Sequence, residues 1–181
     1  MLVNQPEHWD QEVDFVAVGS GIGGLAGAIM ARELGGSALV LEKTGKLGGV
    51  TALSMGEVWV PGNRHALALG IEDSPDSAVR YISRLAMGYA LDDAICNFAV
   101  NAREALHWFE DNIGLRMRVI RRCPDYYFGT CNDGVAEGRM LETAPFPAES
   151  LGEWQEKTRV SPIMPYGLLH DEMLDWGGTS Q

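Results

Sequence analysis

Basic side chains are scarce. Lys and Arg number 14 against 25 Asp and Glu, for a net charge of −11, and such a surface repels phosphate backbones and anionic headgroups. Nucleic acid is not an expected partner. Cysteine is sparse too: Cys96, Cys123 and Cys131 form no CxxC pair, and an odd, scattered set reads as reduced thiols, not as a disulfide framework. No apolar run approaches the ~18 residues of a spanning helix, so no membrane span is expected. The N-terminal residues MLVNQPEHWDQEVD carry acids where a secretory leader carries bases. A cytoplasmic protein is the expectation. The histidines His65, His107 and His170 are scattered as core or surface residues are, and no metal site is expected.

What is present suits one domain, or one and a fraction: 181 residues, 46% of them apolar, can bury a core. A polar arm, 1–12, precedes an apolar run, Phe15 to Val18, that reads as a short buried strand. GGLAGAIMAREL, from Gly23 to Leu34, reads as a helix stopped by Gly35 and Gly36, and Ser37 to Leu41 as a second strand. Residues 43–62 are rich in glycine and small hydroxyl residues and read as a loop. Ser74 before Pro75 marks an N-cap, predicting a helix to about Met87. Ile95, Phe98, Ala102, Leu106, Phe109 and Ile113 then recur at three- and four-residue steps, a core-facing helix with Gly114 at its end. LRMRVIRR, 115–122, alternates as a strand whose arginines face water, and prolines 145, 147, 162 and 165 break up the rest. The organisation is therefore arm 1–12, strand–helix–strand and loop 13–73, helical and strand segment 74–142, and irregular tail 143–181.

Gly19, Gly21 and Gly24 stand in GxGxxG spacing between the first strand and the helix. In that context Gly19 permits a tight turn, Gly21 lets backbone approach a pyrophosphate, and Gly24 lets the helix pack on the strands. An anion would meet the helix N-terminus, where amides lack partners. Glu42 ends the second strand close to the ~20-residue offset of the acid that bonds a ribose 2′-hydroxyl. Strand, glycines, small Gly27 and Ala31, second strand and acid agree on a Rossmann-like dinucleotide-binding βαβ with a parallel sheet, an α/β class. Gly23, inside the motif, and Lys43, beside Glu42, are counted with the site. NAD and FAD remain alternatives at this point.

The stretch LGGVTALSMGEVWVPGN after Glu42-Lys43, with Asp125-Tyr126-Tyr127 further on, resembles the flavoproteins that include fumarate reductase, succinate dehydrogenase and, most closely, the FAD-dependent 3-ketosteroid dehydrogenases. Val58-Trp59-Val60-Pro61-Gly62-Asn63 is similar to a Val-Trp-Ile-Pro-Asn-Asn run of the ketosteroid branch. The resemblance covers residues 12–130. It implies FAD contacts from Gly48, Gly49, Thr51, Ser54, Met55 and Gly56, with Met55 and Glu57 standing where glycines are usual. Where some relatives carry a histidine that holds FAD covalently, this chain has Val50, which implies non-covalent flavin. It implies a substrate-pocket role for Tyr126, or Tyr127 if the register shifts by one, in assisting another tyrosine that removes a proton while the flavin takes a hydride.

Family members continue beyond this length into a substrate segment and back into the FAD domain. The expectation is an incomplete domain, the N-terminal FAD-binding subunit or fragment of a flavin-dependent oxidoreductase acting on CH–CH bonds, completed by a second chain in a heteromer. A small-molecule substrate, a steroid among the candidates, would lose hydrogens next to a ring ketone. A fumarate reductase-like enoate reductase is one alternative; it needs arginine and histidine clustered around carboxylates. A non-catalytic subunit that holds the ADP half of FAD is another.

Overall fold

Phe15–Val18 forms strand β1 in the computed structural model, which describes residues 7–54 and 56–161. The start of the arm, Met55, and the tail with Pro162, Pro165 and His170 lie outside the described residues. The described chain divides into two compact units, residues 7–54 with 147–161 and residues 56–146.

In the first unit, helix α1, Ile22–Glu33, carries the chain from β1 to strand β2, Ala38–Leu41. The strands pair in parallel, Phe15 opposite Ala38 and Val18 opposite Leu41, as a helical crossover requires. Close packing explains the small residues of α1. A Cβ on Gly24 would lie 2.1 Å from the Gly19 carbonyl oxygen, and one on Gly27 would lie 2.7 Å from Phe15 Cζ. Ser37 closes the start of the pair: its amide and hydroxyl both donate to Asp14 Oδ2, at 2.8 and 2.7 Å. Those donors hold the Asp14 carboxyl below its usual range. Residues 147–161 return to this unit, where Leu47 bridges Thr158 in parallel and Arg159 donates to Thr44 Oγ1 at 3.0 Å.

The second unit is built on an antiparallel sheet of strands β3, Val58–Trp59, β4, Met117–Val119, and β5, Met140–Thr143. Its order is β3-β5-β4. The short helix α2, Arg64–Ala68, follows β3, and α3, Pro75–Ala86, packs against α4, Asp92–Ile113. Val60, Ala66, Leu106, Met117, Val119 and Leu141 form the core. The Ser74 cap is as expected, its Oγ accepting from the Ser77 amide, and Gly114 ends α4 with φ 77°.

Three expectations need correction. The stretch 43–62 is not loop throughout: Thr51–Leu53 is a 3₁₀ turn, and Val58–Trp59 pairs with Leu141 and Met140 because Val58 packs on the core. The apolar stripe of α4 is buried at Ile95 and Leu106 but surfaces at Phe98, which stays half exposed while stacking on Trp59 of β3, and at Ile113, the last residue of the helix. Two arginines of 115–122 are ion-paired rather than merely solvated. Arg118 meets the buried Glu142 across β4 and β5 at 2.6 Å, and Arg121 meets Glu137 at 3.1 Å. Among the described residues no helix is long and apolar enough to cross a membrane.

Candidate functional site

The turn between β1 and α1 is set by backbone conformation. Gly19, at φ 99°, lies where only glycine is relaxed, and its amide donates to the Leu41 carbonyl at 2.7 Å. Gly21 is the N-cap of α1, extended at φ −71° and ψ 176°, and no side chain caps the helix. No acid stands in the first turn, so the positive end of the helix is uncompensated by its own residues. The Ile22 amide donates to Thr51 Oγ1 at 3.2 Å, while those of Gly23 and Gly24 precede the first amide with an i−4 acceptor in the helix. The surface there is open. A Cβ on Gly21 would meet only Thr51 Oγ1, at 4.0 Å, and one on Gly23 would meet nothing within 4 Å.

The following loop is drawn against this turn. A Cβ on Gly49 would lie 3.0 Å from Gly21 Cα, one on Gly48 would lie 2.7 Å from Ala52 Cβ, and the Gly48 amide donates to Ser20 Oγ at 3.0 Å. Glu42 sits at the centre of these contacts. Its Oε2 accepts from the Ser20 amide at 3.1 Å and hydroxyl at 2.7 Å, and its Oε1 accepts from the Thr44 amide and hydroxyl, both at 3.0 Å. The Ser20 and Thr44 donors lower its pKa from 4.5 to about 2. The structure thus brings together Gly19, Gly21, Gly23, Gly24, Glu42, Gly48, Gly49 and Thr51. Lys43 and Ser54 are exposed, with Ser54 Oγ donating to the Thr51 carbonyl at 3.0 Å. Gly56 belongs to the second unit, and Met55 lies outside the described residues.

The tyrosine segment lies in the second unit. Tyr126 is 85% exposed, and Tyr127 and Phe128 are exposed beside it. Asp125, one residue earlier, is buried. It accepts from Trp59 Nε1 at 2.6 Å on Oδ1, and from Arg139 at 2.8 Å and the Val135 amide at 3.0 Å on Oδ2. The Tyr127 amide donates to the Tyr81 hydroxyl at 3.2 Å. Trp59 of the Val58–Asn63 run stacks with Tyr81 and Phe98. Asn63 is fully buried: its Oδ1 caps α2, and its amide donates to the Val60 and Gly138 carbonyls.

Sequence reasoning missed Arg139, Asp73 and Tyr81. Nothing local marks them, because the bonds from Arg139 to Asp73 and Ser77, and from the Tyr127 amide to Tyr81, span 46 to 66 positions of the chain. It also did not foresee that Arg64, His65 and His107 gather between α2 and α4. The Arg64 amide donates to His107 Nε2 at 3.2 Å, His65 meets Glu110 at 2.6 Å, and Arg64 pairs with Glu110 and Asp111. Burial and the nearby Arg64 charge hold the His107 imidazole below its ordinary pKa. This cluster is already neutralised by its own acids.

The chain is similar to several curated proteins. The chain is 32% identical over 165 residues to a 4-oxocyclohexanecarboxylate 2-dehydrogenase of Sinomonas cyclohexanicum, covering 91% of this chain and 28% of that one. It is 36% identical over 142 residues to a 3-oxosteroid 1-dehydrogenase of Comamonas testosteroni, covering 78% and 24%. Among solved structures it matches a 3-ketosteroid Δ1-dehydrogenase from Sterolibacterium denitrificans in complex with 1,4-androstadiene-3,17-dione, with a TM-score of 0.77 and 33% identity over 82% of this chain and 26% of that one. The chain spans about a quarter of the length of these relatives. Residues 14–174 match the FAD binding domain family, and since that span takes in the glycine turn, Glu42, the 48–56 loop and the tyrosine segment together, the chain belongs to that family and its cofactor is FAD.

Proposed function

We propose that this chain is the N-terminal, FAD-holding part of an oxidoreductase that introduces a C=C bond next to a ring ketone, with 3-ketosteroids as the substrate class. The observation that carries it is the exposed Tyr126 on a segment whose neighbouring residue is buried and ion-paired. A phenol offered outward from a fixed backbone is suited to supporting proton removal from a carbon alpha to a carbonyl. Flavin, when bound, supplies the hydride acceptor.

What supports the cofactor residues is fit. The open faces of Gly21 and Gly23 leave room for a pyrophosphate at an uncapped helix end, where the amides of Gly23 and Gly24 can donate to it. Gly48, Gly49 and Thr51 form the opposite side of that opening; Ser54, Met55 and Gly56 are added by the family resemblance alone, and Lys43 by its place in the sequence beside Glu42. Glu42 can accept from ribose hydroxyls once the Ser20 and Thr44 hydroxyls turn away. Val50 is exposed and offers no nucleophile, so the flavin is held non-covalently. Tyr126 supports the proton-removing group, with Tyr127 second in register.

Two alternatives are weaker. A dicarboxylate reductase needs free cations, and the Arg64, His65 and His107 cluster is paired with Glu110 and Asp111. A non-catalytic holding subunit would leave the anchored tyrosine segment without a use. A second chain completing the domain is supported by bare apolar surface on the two-stranded sheet: Val16, Val18 and Leu41 are exposed, Val18 at 89%.

Anaerobic mixing of the native, flavin-loaded assembly with a panel of 3-ketosteroids, oxocyclohexanecarboxylates and fumarate tests this. The steroid ketones should bleach the flavin absorbance. Loss of colour with oxocyclohexanecarboxylates alone would move the substrate class, reoxidation of reduced flavin by fumarate alone would favour the reductase, and no response to any ring ketone would refute the function. Size exclusion with mass detection tests the heteromer, which a folded, flavin-competent monomer of 19.7 kDa would rule out.

A further inference from the structure

We propose that Arg139 and Tyr81 are positioning residues for the Tyr126 hydroxyl, acting through the backbone of residues 125–128; this rests on the proposed role of Tyr126. Arg139 is the largest fully buried side chain among the described residues, 1% exposed, and its two acid partners are equally hidden, Asp73 at 2% and Asp125 at 0%. Every guanidinium hydrogen is used. Nε donates to Asp73 Oδ2 at 2.9 Å. One terminal nitrogen reaches Asp73 Oδ1 at 2.6 Å and Ser77 Oγ at 2.9 Å, and the other reaches Asp125 Oδ2 at 2.8 Å and the Asp133 carbonyl at 3.1 Å. The guanidinium also lies 5.1 Å from the centre of the Trp59 ring and 5.6 Å from that of Tyr81.

Such a buried ionic cluster is costly to desolvate, and apolar replacements are often as stable. Its physical yield is geometric: a planar fork that spans two carboxylates admits one arrangement of the elements that carry them. Here those elements are the start of α3, through Asp73 and Ser77, and the loop that begins at Asp125. Tyr126, Tyr127 and Phe128 are too exposed to fix that loop by their own packing. Its hold comes from Asp125 on one side and, on the other, from the Tyr127 amide on the buried Tyr81 hydroxyl and the Cys131 amide on the Tyr127 carbonyl, at 3.0 Å. Tyr81 is in turn stacked on Trp59, whose indole nitrogen returns to Asp125. The anchors close a ring around the segment and leave the Tyr126 side chain outside it.

Arg139→Lys keeps the charge but cannot span both carboxylates, and Tyr81→Phe keeps the ring while deleting only the acceptor for the Tyr127 amide. Both are made in the turnover-competent, flavin-loaded assembly, beside Tyr126→Phe and the double variants. Hydrogen exchange at the Tyr127 and Phe128 amides should quicken in both anchor variants, with flavin content unchanged. Turnover should fall by roughly 10- to 100-fold, as for a misplacement of about 1 Å, with KM within about threefold because binding contacts are untouched. Placed on Tyr126→Phe, the anchor variants should cost little more, since they act through the hydroxyl already removed. Unchanged exchange, or quicker exchange with unchanged turnover, overturns the positioning role while leaving the proposed function standing. Full additivity with Tyr126→Phe overturns it as well, and a fully active Tyr126→Phe overturns the proposed function and the positioning role together. Should Arg139→Lys fail to fold, Tyr81→Phe alone decides.

Discussion

Gly21 and Gly24 sit three residues apart in one motif, yet adding a single methyl group to each should have opposite consequences. At Gly24 the new Cβ would lie 2.1 Å from the Gly19 carbonyl oxygen, a backbone atom that cannot swing aside. Restoring ordinary contact at 3.4 Å needs a shift of about 1.3 Å between α1 and the turn. Overpacking of that kind costs about 3 kcal/mol, offset by about 1 kcal/mol because alanine is the better helix former. The net of roughly 2 kcal/mol lowers Tm by about 4–8 °C in a chain of this size. At Gly21 the backbone is extended and a Cβ has no protein atom closer than 4.0 Å. The poorer N-cap quality of alanine costs about 0.5–1 kcal/mol and the stiffer unfolded chain returns about as much, so Gly21→Ala should melt within about 2 °C of the parent protein. What the methyl group does occupy is the space assigned to the pyrophosphate. Flavin affinity should fall at least tenfold, about 1.4 kcal/mol. Thermal unfolding of the flavin-free proteins by circular dichroism and flavin titration by fluorescence read the two effects separately. If Gly21→Ala binds FAD like the parent, or if Gly24→Ala melts unchanged, the geometry assigned to this motif is wrong.

Acid precipitation of the flavin-loaded protein should release FAD into a yellow supernatant, because Val50 offers no covalent attachment; colour in the pellet would contradict that. The Glu42 carboxyl, lowered from 4.5 to about 2 by Ser20 and Thr44, is protonated more easily unfolded than folded. Its stabilisation is therefore present above pH 4.5 and lost as pH falls toward 2, and Glu42→Gln should flatten acid unfolding over that window; a superimposable pH profile would refute it. Tyr126→Phe should lower turnover by about 10²–10⁴, the loss typical of acid–base assistance. Tm should stay put because the side chain is 85% exposed, Tyr127→Phe should be mild, and parent-like turnover in both would move the chemistry off this segment.

How far the molecule was legible in its sequence depends on how far apart the cooperating residues lie. The glycine turn, the Ser74 cap and the length of α4 each rest on signals within a few residues, and each is found where the sequence places it. Strand β5 has no such signal. Met140, Leu141 and Glu142 are all buried, so the alternation that marks a half-exposed strand is missing, and Arg118 pairs with the buried Glu142 across the sheet. Phe98 keeps the spacing of the α4 stripe but stacks on Trp59 at its edge, a position that helical periodicity alone cannot distinguish from the core. The Glu42 bonds to Ser20 and Thr44 use residues common in any loop, and spacing indicates the acid without indicating its donors. Arg139 also reaches far along the chain, meeting Asp73 across 66 positions and Asp125 across 14. An arginine in a glycine-rich loop ordinarily faces water, and this one is buried only because two acids, two aromatic rings and the loop after β4 converge on it at once. That convergence is a property of the folded second unit as a whole, and it falls beside the tyrosines whose proposed chemistry depends on placement.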